Sequence, residues 1–186
     1  TGVQTCALPI SVQHGSDSVL SAMKRGYTAL EYKSIIRKMR AVRPDLTLSS
    51  DFIVGFPGET EADYNELADF ITAAKLDAVG IFGYSDEDNT EALDLSDKVA
   101  DEVIRERVEA LSSLADEMVS VRAQARIGES VRVLIEDAEL QEGRAAHQGP
   151  EVDGTTSFIG TEFKVGEYVD AVVIDSMGAD LVARPL

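Results

Sequence analysis

The chain has 186 residues, of which 44% are hydrophobic, so it can bury a domain-sized core and does not have the composition of a disordered segment. It contains no apolar run of the roughly 18–20 residues that a membrane-spanning helix requires, and nothing in it resembles a signal peptide. Its 17 basic and 34 acidic residues give a net charge of −17, which favours a basic partner over a nucleic-acid backbone. The single cysteine, Cys6, provides neither a disulfide framework nor a CxxC metal site, as fits a cytoplasmic protein.

The first ten residues, TGVQTCALPI, differ in character from everything that follows. They are the translation of a nucleotide string similar to a common short-read sequencing adapter, so we interpret them as an artefact and not as part of the native fold. On this interpretation Cys6 is not native, Ser11 is partly adapter-derived, and the native sequence begins at Val12 within a longer gene. The alternative is a genuine, disordered N-terminus.

The next elements alternate between helix and strand. Helix is predicted from Ser16 to Arg43 with a break at Gly26, and a capping box over Thr28–Glu31 opens its second half. A strand over Leu46–Gly55 follows, and its Phe52-Ile53-Val54 run suits burial on both faces. The pattern therefore predicts an α/β unit.

The same alternation continues through the middle of the chain. A second capping box, Thr60–Asp63, begins a helix that runs to about Lys75, and Ala78–Tyr84 is predicted as another buried strand. This order implies parallel strands with right-handed crossovers. After an acidic loop over Asp86–Lys98, apolar residues spaced three or four apart predict a long helix from Asp101 to Arg126.

The pattern changes at Gly128. Apolar residues alternate with polar ones over Ser130–Ile135 and Tyr168–Ile174, and shorter apolar runs occur at Phe158-Ile159 and Leu181–Ala183. Several short strands separated by polar turns imply a small antiparallel barrel. We therefore predict two units, the end of an α/β domain over residues 11–127 and a β-barrel over 128–186.

The sharpest local motif is SDFIVGFPGET, Ser50–Thr60. It predicts a buried strand that ends in a glycine-containing turn, at the edge where open α/β sheets bind ligands. Gly55 and Gly58 permit close backbone approach, so main-chain groups there are able to hydrogen-bond an adenine edge. The turn is not a P-loop because GK[ST] is absent, and a turn of this composition taken alone is structural more often than functional.

In context, this motif resembles the strand and turn that bind S-adenosylmethionine (SAM) in radical SAM methylthiotransferases. Three further segments resemble that family in the same order: Gln13–Arg25 after its fourth strand, Phe82–Thr90 in its YSxEEGT rim, and Gly143–Gly154 in its TRAM domain. The resemblance covers Val12 to Leu186 and implies the second half of a partial (β/α) barrel followed by a TRAM-like barrel. One departure is Asn89, where the family has glycine, although asparagine tolerates the left-handed φ of such a turn.

The resemblance implies an enzyme that uses SAM and two [4Fe–4S] clusters. One reduced cluster would cleave SAM to a 5′-deoxyadenosyl radical, which takes a hydrogen from the β-carbon of an aspartate in the small-subunit ribosomal protein twelfth in the S series. The other cluster is associated with the inserted sulfur, and a second SAM supplies the methyl group. Relatives bind these clusters through CxxxCxxC and a preceding domain, which this sequence lacks, so we expect the chain alone to be inactive.

Within the family, two features resemble the branch that modifies the ribosomal protein rather than tRNA, namely Gln13-His14 and Pro150–Gly154. From Gly128 onward four basic residues face twelve acidic ones, which disfavours tRNA and suits a lysine-rich protein. We expect a monomer with no membrane partner. Two alternatives stay open: a tRNA methylthiotransferase, and a docking module without catalysis.

The resemblance also implies site residues, and each has a structural interpretation beside the functional one. His14 is equally well explained as a strand-end hydrogen-bonding residue, Asp51 as the end of a strand, and loop residues such as His147 as solvated. No catalytic or metal-binding residue is expected in this chain. The predicted SAM-binding residues are Gln13, His14, Ser50, Asp51, Ile53, Gly55, Phe82 and Tyr84, and the predicted substrate-binding residues are His147, Glu151 and Asp153.

Overall fold

A computed structural model describes residues 7–9, 12–44, 46–149, 153–160 and 162–186. Its first part is a parallel sheet of three strands in the order β1 (Ala7–Pro9), β2 (Thr47–Val54) and β3 (Ala78–Gly83). Strand β1 belongs to the segment that we attribute to an adapter. Strand pairing uses main-chain groups, so a short segment of any origin can pair with a sheet edge, and the adapter interpretation stays a prediction.

Four helices accompany the sheet in the described part of the chain: α1 (Asp17–Ala22), α2 (Ala29–Val42), α3 (Glu61–Ala74) and α4 (Asp101–Gln124). The predicted break near Gly26 separates α1 from α2. A short 3-10 helix, Glu91–Asp94, lies in the acidic loop. No described helix is both long and apolar enough to cross a membrane.

Both predicted capping boxes are present and explain where α2 and α3 begin. Thr28 Oγ1 accepts the Glu31 N–H at 3.2 Å, and a Glu31 carboxylate oxygen accepts the Thr28 N–H at 2.8 Å. Thr60 and Asp63 make the same reciprocal pair, at 3.3 and 2.9 Å. Each box satisfies two backbone donors that the first helical turn leaves free.

The core of the α/β part lies between β2, α3 and α4. Phe52 of β2 packs edge-on against Phe70 of α3, with ring centroids 5.9 Å apart. Leu48, Leu67 and Leu111 are fully buried beside them. Helix α3 connects β2 to β3 as the predicted crossover, and the carboxyl ends of both strands meet at one edge of the sheet.

The C-terminal part is a closed barrel of five strands, which are β4 (Ser130–Asp137), β5 (Glu142–Ala145), β6 (Thr156–Phe158), β7 (Tyr168–Met177) and β8 (Asp180–Pro185). Their order around the barrel is β4-β5-β6-β8-β7. Pairing is antiparallel except between β6 and β8, which run parallel, so the predicted all-antiparallel arrangement is corrected at that pair. The predicted fold class is confirmed, and the predicted boundary at residue 128 falls in the connection between α4 and β4.

Candidate functional site

A cavity of about 810 Å³ opens at the carboxyl ends of β2 and β3. Its volume is in the range of small-molecule sites, and its position is where parallel α/β sheets bind their ligands. The end of α1, the two strand ends and the loop after β3 together form its wall. Lys24 and Arg25 contribute positive charge to this wall, whereas Asp51, Glu87 and Glu91 contribute negative charge.

Five of the eight predicted SAM-binding residues line this cavity, and three do not. The structure thus brings together residues from the strand-exit motif, from β2 and from the end of β3 and the position after it, although Gln13 and Tyr84 are 71 positions apart in sequence. The five that line it are Gln13, Asp51, Ile53, Phe82 and Tyr84. His14, Ser50 and Gly55 are all buried and lie behind the wall.

Gln13 enters the wall in an unusual backbone conformation, with φ of 75°. Its N–H donates to the Asp51 carbonyl at 3.2 Å, and its own carbonyl accepts the Ile53 N–H at 2.9 Å. Both bonds hold the residue against the carboxyl end of β2. A positive φ at a residue other than glycine costs free energy, and residues of this kind are concentrated at functional sites.

Aromatic side chains form much of the apolar surface. Phe82 is 55% exposed, and the Phe56 and Tyr84 rings meet edge to face with centroids 5.3 Å apart. The Tyr84 hydroxyl donates to Asp86 Oδ1 at 2.7 Å. Desolvation and this bond raise the pKa of Tyr84, so the phenol keeps its proton. The Lys98 ammonium pairs with Asp86 and lies 5.2 Å from the Tyr84 ring centroid.

Gly80 in β3 makes room for two of these wall residues. A Cβ at this position would overlap the Asp51 carboxylate and would lie 2.8 Å from Phe82 Cε2. The absence of a side chain at residue 80 therefore lets Asp51 and Phe82 lie across the sheet edge, towards the cavity. Sequence analysis had not identified Gly80.

The loop after β3 closes one side of the cavity. Asn89 adopts the left-handed conformation that was expected for a glycine replacement, with φ of 65°. Glu91 pairs with Lys24 from the end of α1, and this pair links the loop to α1. Sequence analysis did not name several residues of this wall as site residues. Six of them lie inside the family motifs, namely Met23, Lys24, Arg25, Phe56, Glu87 and Thr90, whereas Glu91 and Leu95 lie beyond the last of these motifs.

His14, Ser50 and Gly55 have protein partners. His14 Nε2 lies 3.1 Å from Glu59 Oε2, and Ser50 Oγ accepts the Val12 N–H at 3.3 Å. The Gly55 N–H donates to Glu59 Oε2 at 2.8 Å. For His14 this is the hydrogen-bonding arrangement of the structural interpretation.

The substrate residues predicted in the barrel lie at its junction with the α/β part. His147 and Asp153 line a very small cavity there, together with Asp77, Arg122 and Arg126. Desolvation, and then the charge of Arg126, lower the pKa of His147 to about 4, so the imidazole is neutral near pH 7. Glu151 lies outside the described residues. A substrate contact by any of these three stays a prediction.

Asp77, just before β3, is the centre of a charged cluster at this junction. Its Oδ1 accepts from Arg122 Nη2 at 2.8 Å and from Arg126 Nη2 at 3.1 Å, and Arg40 Nη2 lies 3.8 Å from Oδ2. Its Oδ2 also accepts the Leu48 N–H at 3.0 Å. One carboxylate therefore connects α2, β2 and α4 beside the barrel.

Comparisons with known proteins match both parts of the chain. A family model described as Radical SAM superfamily matches residues 5–71, and one described as TRAM domain matches residues 127–186. The chain belongs to the radical SAM superfamily. The first match includes residues 5–10, which we attribute to an adapter.

Curated relatives narrow this membership. Proteins named ribosomal protein uS12 methylthiotransferase RimO are 49% identical in Nocardioides sp. over 183 residues, 49% in Saccharopolyspora erythraea over 180, and 47% in Cutibacterium acnes over 178. Each alignment covers 95% of this chain and 37–38% of the relative. The chain therefore spans well under half of the length of these relatives. The family predicted from its motifs, the radical SAM methylthiotransferases, is confirmed.

Proposed function

We propose that this chain is the part of a radical SAM enzyme that holds SAM and carries the TRAM domain, and that the whole enzyme methylthiolates an aspartate of ribosomal protein uS12. The observation that carries the proposal is the cavity at the carboxyl ends of β2 and β3. Most of its wall residues come from the three α/β motifs that resemble this family, and the relatives are named for this activity.

The cavity wall suits the different parts of SAM. Ile53 and Phe82 offer apolar surface for the adenine, and Asp51 is placed to accept from ribose hydroxyls. Lys24 and Arg25 supply positive charge for the carboxylate of the methionine part. When bound, SAM supplies the deoxyadenosyl and methyl groups, and these side chains orient it and keep water away from one face.

The described residues do not fit the iron–sulfur clusters of the family. They contain no group of three or more His, Cys, Asp or Glu side chains placed to hold a metal, and Cys6 lies outside them. The two [4Fe–4S] clusters of the proposed enzyme would need ligands from outside this chain.

The proposed substrate is a protein, and the proposed enzyme acts on it as a monomer. The barrel carries four basic and twelve acidic residues from Gly128 onward, a balance that repels tRNA phosphates and attracts a basic ribosomal protein. This balance favours uS12 over tRNA as the substrate.

A chimera tests the proposal. Residues 12–186 would replace the matching region of the Nocardioides relative, so that the cluster-binding part is present. After reconstitution under anaerobic conditions, we expect mass spectrometry to find a methylthio group on uS12 and none on tRNA. Phe82→Ala should raise the KM for SAM about tenfold, in line with the 1–3 kcal/mol typical of stacking a base on an aromatic ring. Ile159→Ala, at an exposed barrel residue, serves as the control.

The outcomes separate the alternatives. Product on tRNA alone would assign the chain to the tRNA enzymes. A chimera that binds uS12 but neither binds SAM nor turns over would support a docking module. If Phe82→Ala left the KM for SAM unchanged, the result would show that SAM does not bind in this cavity.

A further inference from the structure

Two buried polar side chains, His14 and Glu59, and the largely buried Arg107 form a network next to residues of the cavity wall. The side chains of His14 and Glu59 are 0% exposed, and that of Arg107 is 11% exposed. They come from the segment before α1, from the turn after β2 and from α4. Burying ionic groups is costly unless each one is paired and hydrogen-bonded, so their partners show what the group stabilises.

Glu59 has partners on both of its oxygens. Oε2 accepts from His14 Nε2 at 3.1 Å and from the Gly55 N–H at 2.8 Å. Oε1 accepts from Arg107 Nη1 at 2.6 Å. Oε2 therefore links the segment that contains His14 to the turn at Gly55, while Oε1 forms an ion pair with Arg107 of α4.

The second ring nitrogen of His14 fixes its tautomer. The Ser16 N–H donates to His14 Nδ1 at 3.0 Å, so Nδ1 carries no proton. The proton is then on Nε2, which donates to Glu59. The side chain at position 14 must therefore accept a hydrogen bond from the Ser16 N–H before α1 and donate one to Glu59 in the turn after β2.

The residues held by this network adjoin the cavity. Gln13 precedes His14 and lines the wall, and Phe56 follows Gly55 and lines it as well. We propose that Glu59 is a positioning residue, which fixes Gln13 and Phe56 against the bound ligand through His14 and the Gly55 turn. Arg107 of α4 neutralises the buried carboxylate. That the ligand is SAM rests on the proposed function.

His14→Asn isolates the bond to Glu59. The Asn side-chain oxygen can still accept the N–H two residues ahead, as in an Asx turn, but its amide is too short to reach Glu59. We expect this variant of the 186-residue chain to bind SAM about tenfold more weakly in calorimetric titration, because small misplacements of binding groups are costly.

A charge-compensated pair tests the role of Glu59. In Glu59→Gln the amide oxygen can keep the bonds to His14 and Gly55, but the amide group then points its donors at the guanidinium of Arg107. Affinity for SAM should fall about tenfold, since a buried donor and charge lose their acceptor. Adding Arg107→Met removes the guanidinium that faces these amide donors. The affinity of the double variant for SAM should therefore lie within about threefold of that of the original chain. Glu61→Gln, at the exposed second partner of Arg107, is the matched control.

Nuclear magnetic resonance separates this inference from the proposed function. Ring ¹⁵N spectra should show His14 protonated on Nε2, and the amide signals of Gln13 and Phe56 should move in His14→Asn and return in the double variant relative to Glu59→Gln. No affinity of the original chain for SAM would refute the proposed function, and the amide signals would still test the network. Unmoved Gln13 and Phe56 amides in His14→Asn, or a double variant as perturbed as Glu59→Gln, would overturn the inference.

Discussion

Strand β2 has a charged region at each end, and the two regions are built in opposite ways. At its amino end, Asp77 is 8% exposed and sits among three arginines beside the barrel. At its carboxyl end, Lys24 and Glu91 form a pair on the cavity rim with side chains 71% and 81% exposed. The charges around Asp77 are largely buried against one another, whereas Lys24 and Glu91 are exposed to solvent and to the cavity.

The buried charges around Asp77 stabilise the fold, whereas the exposed charges of Lys24 and Glu91 are available to a ligand. Breaking a buried ion pair leaves an uncompensated charge and costs several kcal/mol, but an exposed pair contributes about 0–1 kcal/mol. The rim pair can therefore open for a ligand with little loss of stability. The Asp77 cluster, in contrast, holds α2, β2 and the end of α4 together.

The largest effect is expected at Asp77. Asp77→Asn leaves the guanidinium groups of Arg122 and Arg126 without their carboxylate, so the free energy of unfolding should fall by about 3–5 kcal/mol in urea denaturation. Glu102→Gln removes an exposed partner of Arg105 and should change it by less than about 1 kcal/mol. Equal effects of the two substitutions would show that the buried Asp77 cluster contributes no more to stability than an exposed ion pair.

A smaller effect is expected from pH at His147. Its pKa in the folded state is lowered to about 4, from 6.5 in the unfolded state, because of desolvation and the nearby Arg126. The unfolded state therefore binds more protons between these values, and stability should rise with pH across that window. We expect His147→Gln to flatten the pH dependence of the melting temperature between pH 4 and 6.5, and an unchanged slope would mean that the imidazole is solvated.

The smallest effect on stability is expected at the open end, from Gly80→Ala. The new methyl group meets the Asp51 carboxylate and the Phe82 ring, both of which can move towards solvent, so unfolding free energy should change by about 1 kcal/mol or less. Affinity for SAM should nevertheless fall about tenfold, since both side chains line the cavity. Gly26→Ala, where a Cβ meets nothing within 4 Å, is the control for calorimetric titration. Unchanged affinity would show that neither side chain contacts the ligand.

Local signals predicted the α/β part well because its elements begin with explicit caps. Thr28 and Thr60 mark the start of α2 and α3, and the apolar run of β2 marks a buried strand. Strand β5 was missed, since EGRA has no apolar alternation. Gly143 in that strand is required by tertiary contact, as its Cβ would lie 2.7 Å from the Leu134 carbonyl carbon.

The candidate site was predicted only in part, for a similar reason. Strand residues such as Asp51 and Phe82 were predicted because the motifs that contain them run through the carboxyl ends of β2 and β3. The surroundings of His147 depend on how the barrel meets Arg126, and sequence spacing carries no information on that contact. His14 was left open between two roles, because its partner Glu59 is forty-five residues away.

Helix α4 connects the Asp77 cluster with Glu59 next to the cavity wall. It has 24 residues and is about 36 Å long, with Arg107 near its start and Arg122 and Ala123 near its end. Ala123 packs on Val173 and Leu181 of the barrel, while Arg107 contacts Glu59 behind the cavity. Because α4 contacts both the barrel and Glu59, a bound partner that displaces the barrel and tilts this helix would also displace the residues next to the proposed nucleoside site.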